Sequence, residues 1–218
     1  MNVLAFDCST GACSAAVLAD GRLLAHRAVA MQRGHAEALM PMVTAVLAES
    51  GLGWGEIGLI GVTVGPGSFT GLRIGLAAAR GMALAGPLPV AGVGTALTMA
   101  HAVPAAELVG RRLLVAIDGK RADLFVQPFA ADLSPLAAPA AMMPEAAASW
   151  LDGPLLLAGD GAARLHAYCP NALLSSAIGP VDAAVVARLA VLHHRAGTAL
   201  PPLPLYLRPP DVTLPGPP

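Results

Sequence analysis

Residues 2–18 read NVLAFDCSTGACSAAVL, and residues 113–129 read LLVAIDGKRADLFVQPF. Each stretch begins with a short apolar run that ends at an aspartate, Asp7 or Asp118, and continues through a tight turn into a second run. Short apolar runs bounded by turn-forming residues predict buried strands joined by a hairpin. Because the same unit occurs twice, the sequence predicts an internal duplication.

The segments around these two units alternate predicted strands with predicted helices. Leu39, Val43 and Val46 recur at helical spacing, which predicts an amphipathic helix over residues 35–50 that ends at Gly51. The other predicted elements are strands at 22–25, 57–64, 90–93 and 155–158, a helix from a Ser68 cap to about Ala85, and a helix over 182–196. The tail is rich in proline, which predicts a surface segment.

Composition limits the classes of function. The 218 residues contain 13 Lys plus Arg and 14 Asp plus Glu, so the net charge of -1 gives no electrostatic footprint for nucleic acid. The uncharged stretch 81–103 is long enough for a membrane helix, but prolines and glycines interrupt it. The first residues lack a basic segment, and Asp7 comes before any signal-length apolar run. We therefore expect a cytoplasmic protein without a membrane span.

The turn after each aspartate allows two interpretations. Asp7, Ser9 and Thr10 could surround a phosphate or orient magnesium, or they could satisfy local backbone groups in an ordinary hairpin. Gly159 and Gly161 follow an apolar strand and could let a nucleotide approach the backbone, although a turn requires the same glycines. Weak nucleotide binding at these two turns is one hypothesis, and purely structural turns are the other.

Two strand–aspartate–hairpin units in one chain are typical of the actin-like ATPase and sugar-kinase superfold. The predicted fold class is therefore α/β, with two duplicated lobes of mixed sheet and flanking helices. The predicted lobes are residues 1–106, which carry the two long helices, and a smaller lobe at 107–218 that ends in the proline-rich tail.

The loop GPGSFTGLR at residues 65–73 opens the second long helix, where unpaired amides can bind an anion. It is not a Walker loop, because no lysine follows its last glycine. Small residues at 71, 75, 79 and 83 form a stripe that another backbone can approach closely. The stripe predicts either packing on the protein's own sheet or docking of a partner helix, flanked by Arg73 and Arg80.

A metal site is not expected. His35 and Glu37 open the first long helix, but residue 39 is leucine, so the pair of histidines four residues apart that binds metal on a helix is missing. His193 and His194 are adjacent and point to different helix faces. The metallopeptidase interpretation therefore has no support from the sequence.

These motifs together resemble the TsaB family, also called YeaZ. The most specific block is GPGSFTGLRIG at residues 65–75, which matches the family's hallmark along its full length. The family's other motifs correspond to DCST at 7–10, HAE at 35–37, GDGA at 159–162 and YLR at 206–208. The turn DGKRAD at 118–123 departs from the family's pattern, which puts a ligand contact there in doubt.

The resemblance implies a partner subunit of the machinery that makes threonylcarbamoyladenosine on tRNA, with no catalytic residue of its own. It implies binding to the transferase TsaD, TsaE in a ternary complex, only indirect contact with tRNA, and a homodimer when TsaD is absent. No cofactor is required, and at most ATP or ADP binds weakly at the level of the complex. The alternative is a small ATP-using kinase or ATPase of the same superfold. The predicted TsaD-binding residues on the two long helices are His35, Leu39, Val43, Val46, Gly71, Leu72, Arg73, Gly75, Leu76, Ala79 and Arg80.

Overall fold

The computed structural model describes residues 1–208, which form two five-stranded sheets with flanking helices. Residues 209–218, part of the predicted proline-rich tail, lie outside the described residues. The strands are β1 (Asn2–Asp7), β2 (Ala12–Ala19), β3 (Arg22–Ala30), β4 (Leu59–Gly65), β5 (Val90–Gly94), β6 (Arg112–Ile117), β7 (Leu124–Phe129), β8 (Ala140–Met142), β9 (Leu155–Ala158) and β10 (Leu173–Leu174). The helices are α1 (His35–Ser50), α2 (Phe69–Ala85), α3 (Thr95–Ala100), α4 (Ala105–Leu108), α5 (Pro144–Ala148), α6 (Ala162–His166) and α7 (Ala183–Ala196).

The two sheets repeat one topology. The first has the order β3-β2-β1-β4-β5, and the second has the order β8-β7-β6-β9-β10. In both, the first three strands are antiparallel neighbours and the last two run parallel to the central strand, β1 or β6. The duplication predicted from the two aspartate hairpins is therefore present in the backbone, and the predicted lobed α/β architecture of mixed sheets is confirmed.

Alternation along the strands divides the apolar side chains between layers. In β1, Val3 and Ala5 face a core shared by the two sheets, whereas Leu4 and Phe6 face the layer of α1 and α2. Helix α7 follows the second sheet in sequence but packs against strands of the first. Gly61 in β4 permits this, because a Cβ there would meet the Cβ of Ala190 at 2.8 Å.

The predicted helix ends are confirmed. Helix α1 is followed by Gly51 at φ 72°, the left-handed conformation that favours glycine. The Ser68 hydroxyl accepts a hydrogen bond from the Gly71 amide at 3.2 Å and caps α2, and Asp182 caps α7 through the Ala184 amide.

Where the chain is described, none of its helices is both long and apolar enough to cross a membrane. The lobe boundary between residues 106 and 107 stays a prediction.

Candidate functional site

Helices α1 and α2 lie side by side on one face of the first sheet. Most of the residues predicted to bind a partner lie on the inward side of these helices, where at most 3% of each apolar side chain below is exposed. These residues therefore contact the protein's own sheet. Of the two interpretations of the small-residue stripe, the structure shows internal packing. The inward residues are Leu39, Val43, Val46, Gly71, Leu72, Gly75, Leu76 and Ala79.

Gly71 shows how close this packing is. A Cβ at this position would fall well inside van der Waals contact with the carbonyl oxygen of Cys8, at the turn after β1. The start of α2 therefore rests directly on that turn. The stripe of small residues serves the approach of α2 to the protein's own backbone, and a partner could reach only the opposite side of the helix.

The outward side of the two helices carries exposed apolar groups. Met40 on α1 is 46% exposed, Leu84 on α2 is 87% exposed, and Ala77 on α2 is also exposed. His35 at the start of α1 is half-buried, with its Nε2 atom 3.3 Å from the carbonyl oxygen of Thr10. The predicted docking helices thus retain an accessible face; of the residues predicted to bind a partner, Arg73 and Arg80 are exposed, and the apolar groups on this face were not among those predicted.

The two predicted rim cations contact the chain's own C-terminal segment. Arg73 lies 3.7 Å over the Phe69 ring and donates from Nε to the Tyr206 hydroxyl at 3.0 Å. Arg80 donates from Nε to the carbonyl oxygen of Pro202 at 2.8 Å. Both guanidinium groups thus hold residues 202–206 against α2, an arrangement that the helix sequence does not indicate.

The Asp7 carboxylate is fully buried and held by neighbouring groups of the chain. Oδ1 accepts hydrogen bonds from the Ser9 hydroxyl at 2.6 Å, from the Ser9 amide at 3.1 Å and from the Thr63 hydroxyl. Burial raises the pKa of this carboxyl, and the hydrogen bonds from Ser9 and Thr63 oppose that shift without cancelling it. The Thr10 hydroxyl accepts a hydrogen bond from the Val181 amide at 3.1 Å.

The predicted glycine turn also packs on the chain itself. A Cβ on Gly159 would collide with the carbonyl oxygen of Ala116 in β6, and the Gly161 amide donates to that oxygen at 2.9 Å. Asp160 between them accepts a hydrogen bond from the Asp118 amide at 2.9 Å, and burial raises the pKa of Asp160. These glycines let the turn approach β6, so their role in the structure is close internal packing.

A cavity of about 610 Å³ lies between the start of α2, the turn that joins β6 to β7, and the C-terminal segment. Its walls contain none of the five residues predicted to bind nucleotide. The structure therefore places the Asp7 and Gly159 turns outside the walls of this cavity. Its lining residues are Gly67, Ser68, Phe69, Thr70, Arg73, Gly119, Lys120, Arg121, Phe125, Leu205, Tyr206, Leu207 and Arg208.

Sequence reasoning missed this cavity because its walls come from three distant parts of the chain. One local signal did exist: Lys120, the single lysine of the sequence, stands in the turn after the second aspartate. Arg208, which stacks 4.3 Å over the Phe125 ring and pairs with Asp123, closes the cavity from the C-terminal side.

Over residues 1–208, no group of three or more histidine, cysteine or acidic side chains is arranged to hold a metal ion.

The sequence of this chain is similar to that of proteins that act in tRNA threonylcarbamoyladenosine synthesis. The sequence model described as TsaD, tRNA N6-adenosine threonylcarbamoyltransferase, matches residues 27–154, more than half of the chain. The curated protein TsaB of Escherichia coli (strain K12), a tRNA threonylcarbamoyladenosine biosynthesis protein, is 39% identical over 125 residues, which are 57% of this chain and 53% of that protein. This chain spans about half the length of the curated relatives that it matches.

Solved structures extend the similarity to nearly the whole chain. The structure of YeaZ from Pseudomonas aeruginosa superposes with a TM-score of 0.80 at 29% identity and covers 94% of this chain and 99% of that one. The activator of the 2-hydroxyisocaproyl-CoA dehydratase from Clostridium difficile, solved with bound ADPNP, has a TM-score of 0.54 at 10% identity and covers 90% of this chain and 97% of that one. The latter shows the fold alone. Together these likenesses confirm the predicted actin-like fold class.

Proposed function

The chain belongs to the TsaB (YeaZ) family, within the wider family that the TsaD sequence model describes, and we propose that it is a non-catalytic partner subunit in tRNA threonylcarbamoyladenosine synthesis. In this role it binds the transferase subunit TsaD and supports its activity. TsaE joins the pair in a ternary complex, tRNA is held by the other subunits, and the assembly works in the cytoplasm.

The observation that carries the proposal is the paired arrangement of α1 and α2. Their inward residues are used in the core of the first sheet, yet large apolar side chains such as Met40 and Leu84 remain exposed on the outward side. Exposed apolar side chains on two packed helices can form a protein interface, because their burial against a partner removes apolar area from water. We therefore place the TsaD contact on the outward faces of α1 and α2.

The geometry of the Asp7 turn favours a scaffold over an ATP-using enzyme. A carboxylate that binds magnesium or activates water needs access to its ligand, whereas the oxygens of Asp7 are buried and receive hydrogen bonds from Ser9 and Thr63. We propose that no cofactor is required and that this chain holds any ATP or ADP of the complex only weakly. The competing function is an ATPase or small kinase of the same fold.

The test is copurification of TsaD from the host with the tagged full-length chain, in the natural protein and in two surface variants. Leu84→Arg places a charge on the exposed side of α2, one turn beyond the contact of Arg80 with Pro202, and Met40→Arg places a charge on the exposed side of α1. Leu192→Arg, on the exposed side of α7, is the matched control. We expect TsaD to copurify with neither variant and tRNA modification to fall in both. The control should copurify with TsaD and support tRNA modification as the natural protein does.

Circular dichroism and thermal unfolding verify that the three variants fold. Retention of TsaD by folded Leu84→Arg and Met40→Arg would place the interface elsewhere and refute the assignment. In the absence of TsaD we expect the chain to form a homodimer through the same faces, so the two variants should elute as monomers in size-exclusion chromatography. ATP hydrolysis by the purified chain at an enzyme-like rate, abolished by Asp7→Ala, would support the competing function instead.

A further inference from the structure

Two of the chain's three cysteines touch each other in the layer between the first sheet and helices α1 and α2. The sulfur atoms of Cys8 and Cys13 lie 3.7 Å apart, and at most 1% of either residue is exposed. The third cysteine, Cys169, is partly buried in the second lobe, where its thiol donates to the carbonyl oxygen of Leu165 at 3.3 Å. The proposed function makes no use of the thiol pair.

The backbone holds this pair as a cross-strand disulfide would require. Strands β1 and β2 pair in antiparallel register up to Asp7 and Ser14, and Cys8 and Cys13 are the next residues toward the turn. Residues that face each other across such a pair have Cα atoms roughly 4.5–5.5 Å apart, within the range of roughly 4.4–6.8 Å that a disulfide spans. Both side chains point into the layer of α1 and α2. A bond between them therefore needs movement of the sulfurs but no separation of the strands.

We infer that Cys8 and Cys13 are a redox-active pair, which hydrogen peroxide converts reversibly into a disulfide, and that the bond changes the contact of this turn with the start of α2. Hydrogen peroxide is the oxidant suited to thiols as buried as these, because it is hardly larger than water. In the cytoplasm proposed for this chain, thiols are kept reduced and disulfides are transient. The inference concerns the chain's own thiols and does not depend on the binding of TsaD.

The reaction has two steps. The hydrogen bond between the thiols raises the pKa of Cys8 and lowers the pKa of Cys13, so Cys13 ionises first. Its thiolate attacks one oxygen of the peroxide, the O–O bond breaks, and the hydroxide that leaves takes up the proton released by Cys13. The sulfur of Cys8 then displaces the hydroxyl group of the Cys13 sulfenic acid, which leaves as water with the Cys8 proton. The two thiols lose two electrons, and the peroxide becomes two molecules of water.

The start of α2 rests on the backbone of the same turn. A Cβ on Gly71 would fall inside van der Waals contact with the carbonyl oxygen of Cys8, and the Ser68 amide donates to the carbonyl oxygen of Ser9 at 2.7 Å. Bond formation brings the sulfurs from 3.7 Å to about 2 Å. Because the Cys8 backbone has no free space against α2, we expect the first turn of this helix to shift with it.

The test is peptide mass spectrometry of the reduced full-length chain after incubation with hydrogen peroxide for hours, unfolding in urea, alkylation with iodoacetamide and digestion with trypsin. Cys8 and Cys13 share the tryptic peptide 1–22, whereas Cys169 lies in 165–188. We expect peptide 1–22 without alkyl groups and about 2 Da lighter than its dithiol form, the mass of two hydrogen atoms. Peptide 165–188 should be alkylated, and dithiothreitol should restore alkylation of peptide 1–22.

Variants separate the pair from the third thiol. Cys13→Ala should leave Cys8 unable to form the bond within peptide 1–22, and Cys169→Ala is the matched control that should form it as the natural chain does. Thermal unfolding verifies that both fold, and the natural chain decides the question by itself because its peptide masses need no variant. Thiols of peptide 1–22 that remain fully alkylated, or a disulfide that contains Cys169, would overturn the inference.

Hydrogen–deuterium exchange of the oxidised and reduced chains measures the effect on α2. The amides of Ser68 and Leu72, which donate to the carbonyl oxygens of Ser9 and Ser68, should exchange about tenfold faster after oxidation. Strand β9 in the second lobe is the internal control and should be unchanged. Equal exchange at the start of α2 in a chain shown to carry the disulfide would overturn the coupling between the pair and this helix.

Discussion

The turns after β1 and β6 occupy equivalent positions in the two sheets, yet their aspartates have opposite environments. Asp7 is fully buried, and the groups that donate to it are hydroxyls and an amide. The side chain of Asp118 is 21% exposed and contacts two cations, Lys120 and Arg164. The duplication has therefore kept the backbone of the two units while their side-chain chemistry has diverged.

The pKa values of the two carboxyls shift in opposite directions. Burial raises the pKa of Asp7 above its ordinary value of 3.8. Burial also raises the pKa of Asp118, but the hydrogen bonds of Lys120 and the charges of Lys120 and Arg164 together outweigh it and lower the pKa below 3.8. Asp7 is thus fully buried among hydroxyl and amide donors, whereas Asp118 is partly exposed between two cations. Of the two turns, the second lines the cavity through Gly119, Lys120 and Arg121.

The largest difference in stability should be between substitutions of two glycines: Gly71, which packs on the first turn, and Gly119, which lies in the second turn. Gly71→Ala would drive a Cβ into the carbonyl oxygen of Cys8, so α2 would have to move away from the first turn. We expect a loss of more than about 4 kcal/mol in the free energy of unfolding. Gly119→Ala would meet mainly the guanidinium end of Arg208, at 2.7 Å, and this long side chain can move, so we expect a loss of about 1 kcal/mol or less.

Urea unfolding of both glycine variants provides the measurement. A Gly71→Ala variant as stable as the natural chain would mean that α2 is not fixed on the Asp7 turn as the structure has it. Gly81→Ala is the control for helix propensity, because a Cβ there has no atom within 4 Å. It should be neutral or stabilising by up to about 1 kcal/mol.

Removal of the two carboxyls should have the next largest effect. Asp7→Ala would leave the buried hydroxyls of Ser9 and Thr63 without their acceptor, and we expect a loss of about 3 kcal/mol. Asp118→Ala removes a partly solvated pair, so a loss of about 1 kcal/mol or less is expected. Denaturant unfolding of the two variants side by side measures the difference, and equal losses would contradict the contrast between the turns.

The pH dependence of stability should carry opposite signs for the two residues. Asp7 has a raised pKa in the folded protein, so it favours folding at pH values below 3.8 and loses that contribution as the pH rises through its folded pKa. Asp118 has a lowered pKa, so its contribution is present above 3.8 and is lost as the pH falls through its folded pKa. Each contribution changes by up to about 1.4 kcal/mol per pH unit within its window.

The measurement is the free energy of unfolding across this pH range for the natural chain, Asp7→Asn and Asp118→Asn. Relative to Asp7→Asn, the natural chain should lose stability as the pH rises. Relative to Asp118→Asn, it should lose stability as the pH falls. The same sign in both comparisons would show that the two turns do not differ electrostatically.

The smallest effect should follow from removal of one cation at the second turn. Arg164 donates to Asp118 at 2.8 Å and to the carbonyl oxygen of Ala122 at 2.7 Å. Arg164→Gln should move the pKa of Asp118 upward and cost less than about 1 kcal/mol, since the guanidinium is 39% exposed. NMR titration of the carboxyl carbon measures this pKa, with Arg188→Gln as control. An unchanged pKa in Arg164→Gln would mean that Arg164 does not act on Asp118.

Much of the fold could be read from the sequence because its signals are local. The apolar runs that end at Asp7 and Asp118 predicted β1 and β6, and the Ser68 cap predicted the start of α2. Each of these signals depends on backbone preferences and side-chain periodicity within a few residues. The repeated unit also predicted the duplicated sheets, since like sequences form like strands and turns.

The candidate site was less predictable, because an amphipathic pattern shows that a helix has an apolar face but not what covers it. The stripe at Gly71, Gly75 and Ala79 fits a partner helix and the protein's own sheet equally well from sequence. In the structure the sheet occupies it, so the face proposed for TsaD is the opposite one. The turn at Gly159 is a similar case, since glycine permits close approach whether the approaching group is a nucleotide or β6.

The sequence by itself determined eight of the ten strands in the described part of the chain, the long helices with their caps, and the repeated aspartate units, but it gave no signal for β8 and β10. Only the tertiary structure decided that Arg73 meets Tyr206, 133 residues away, and that Arg208 meets Asp123, 85 residues away. Such contacts depend on how the sheets and helices pack, and no local preference of either partner encodes them. The cavity between the lobes exists for the same reason: its cations and rings converge only when the C-terminal segment returns across α2.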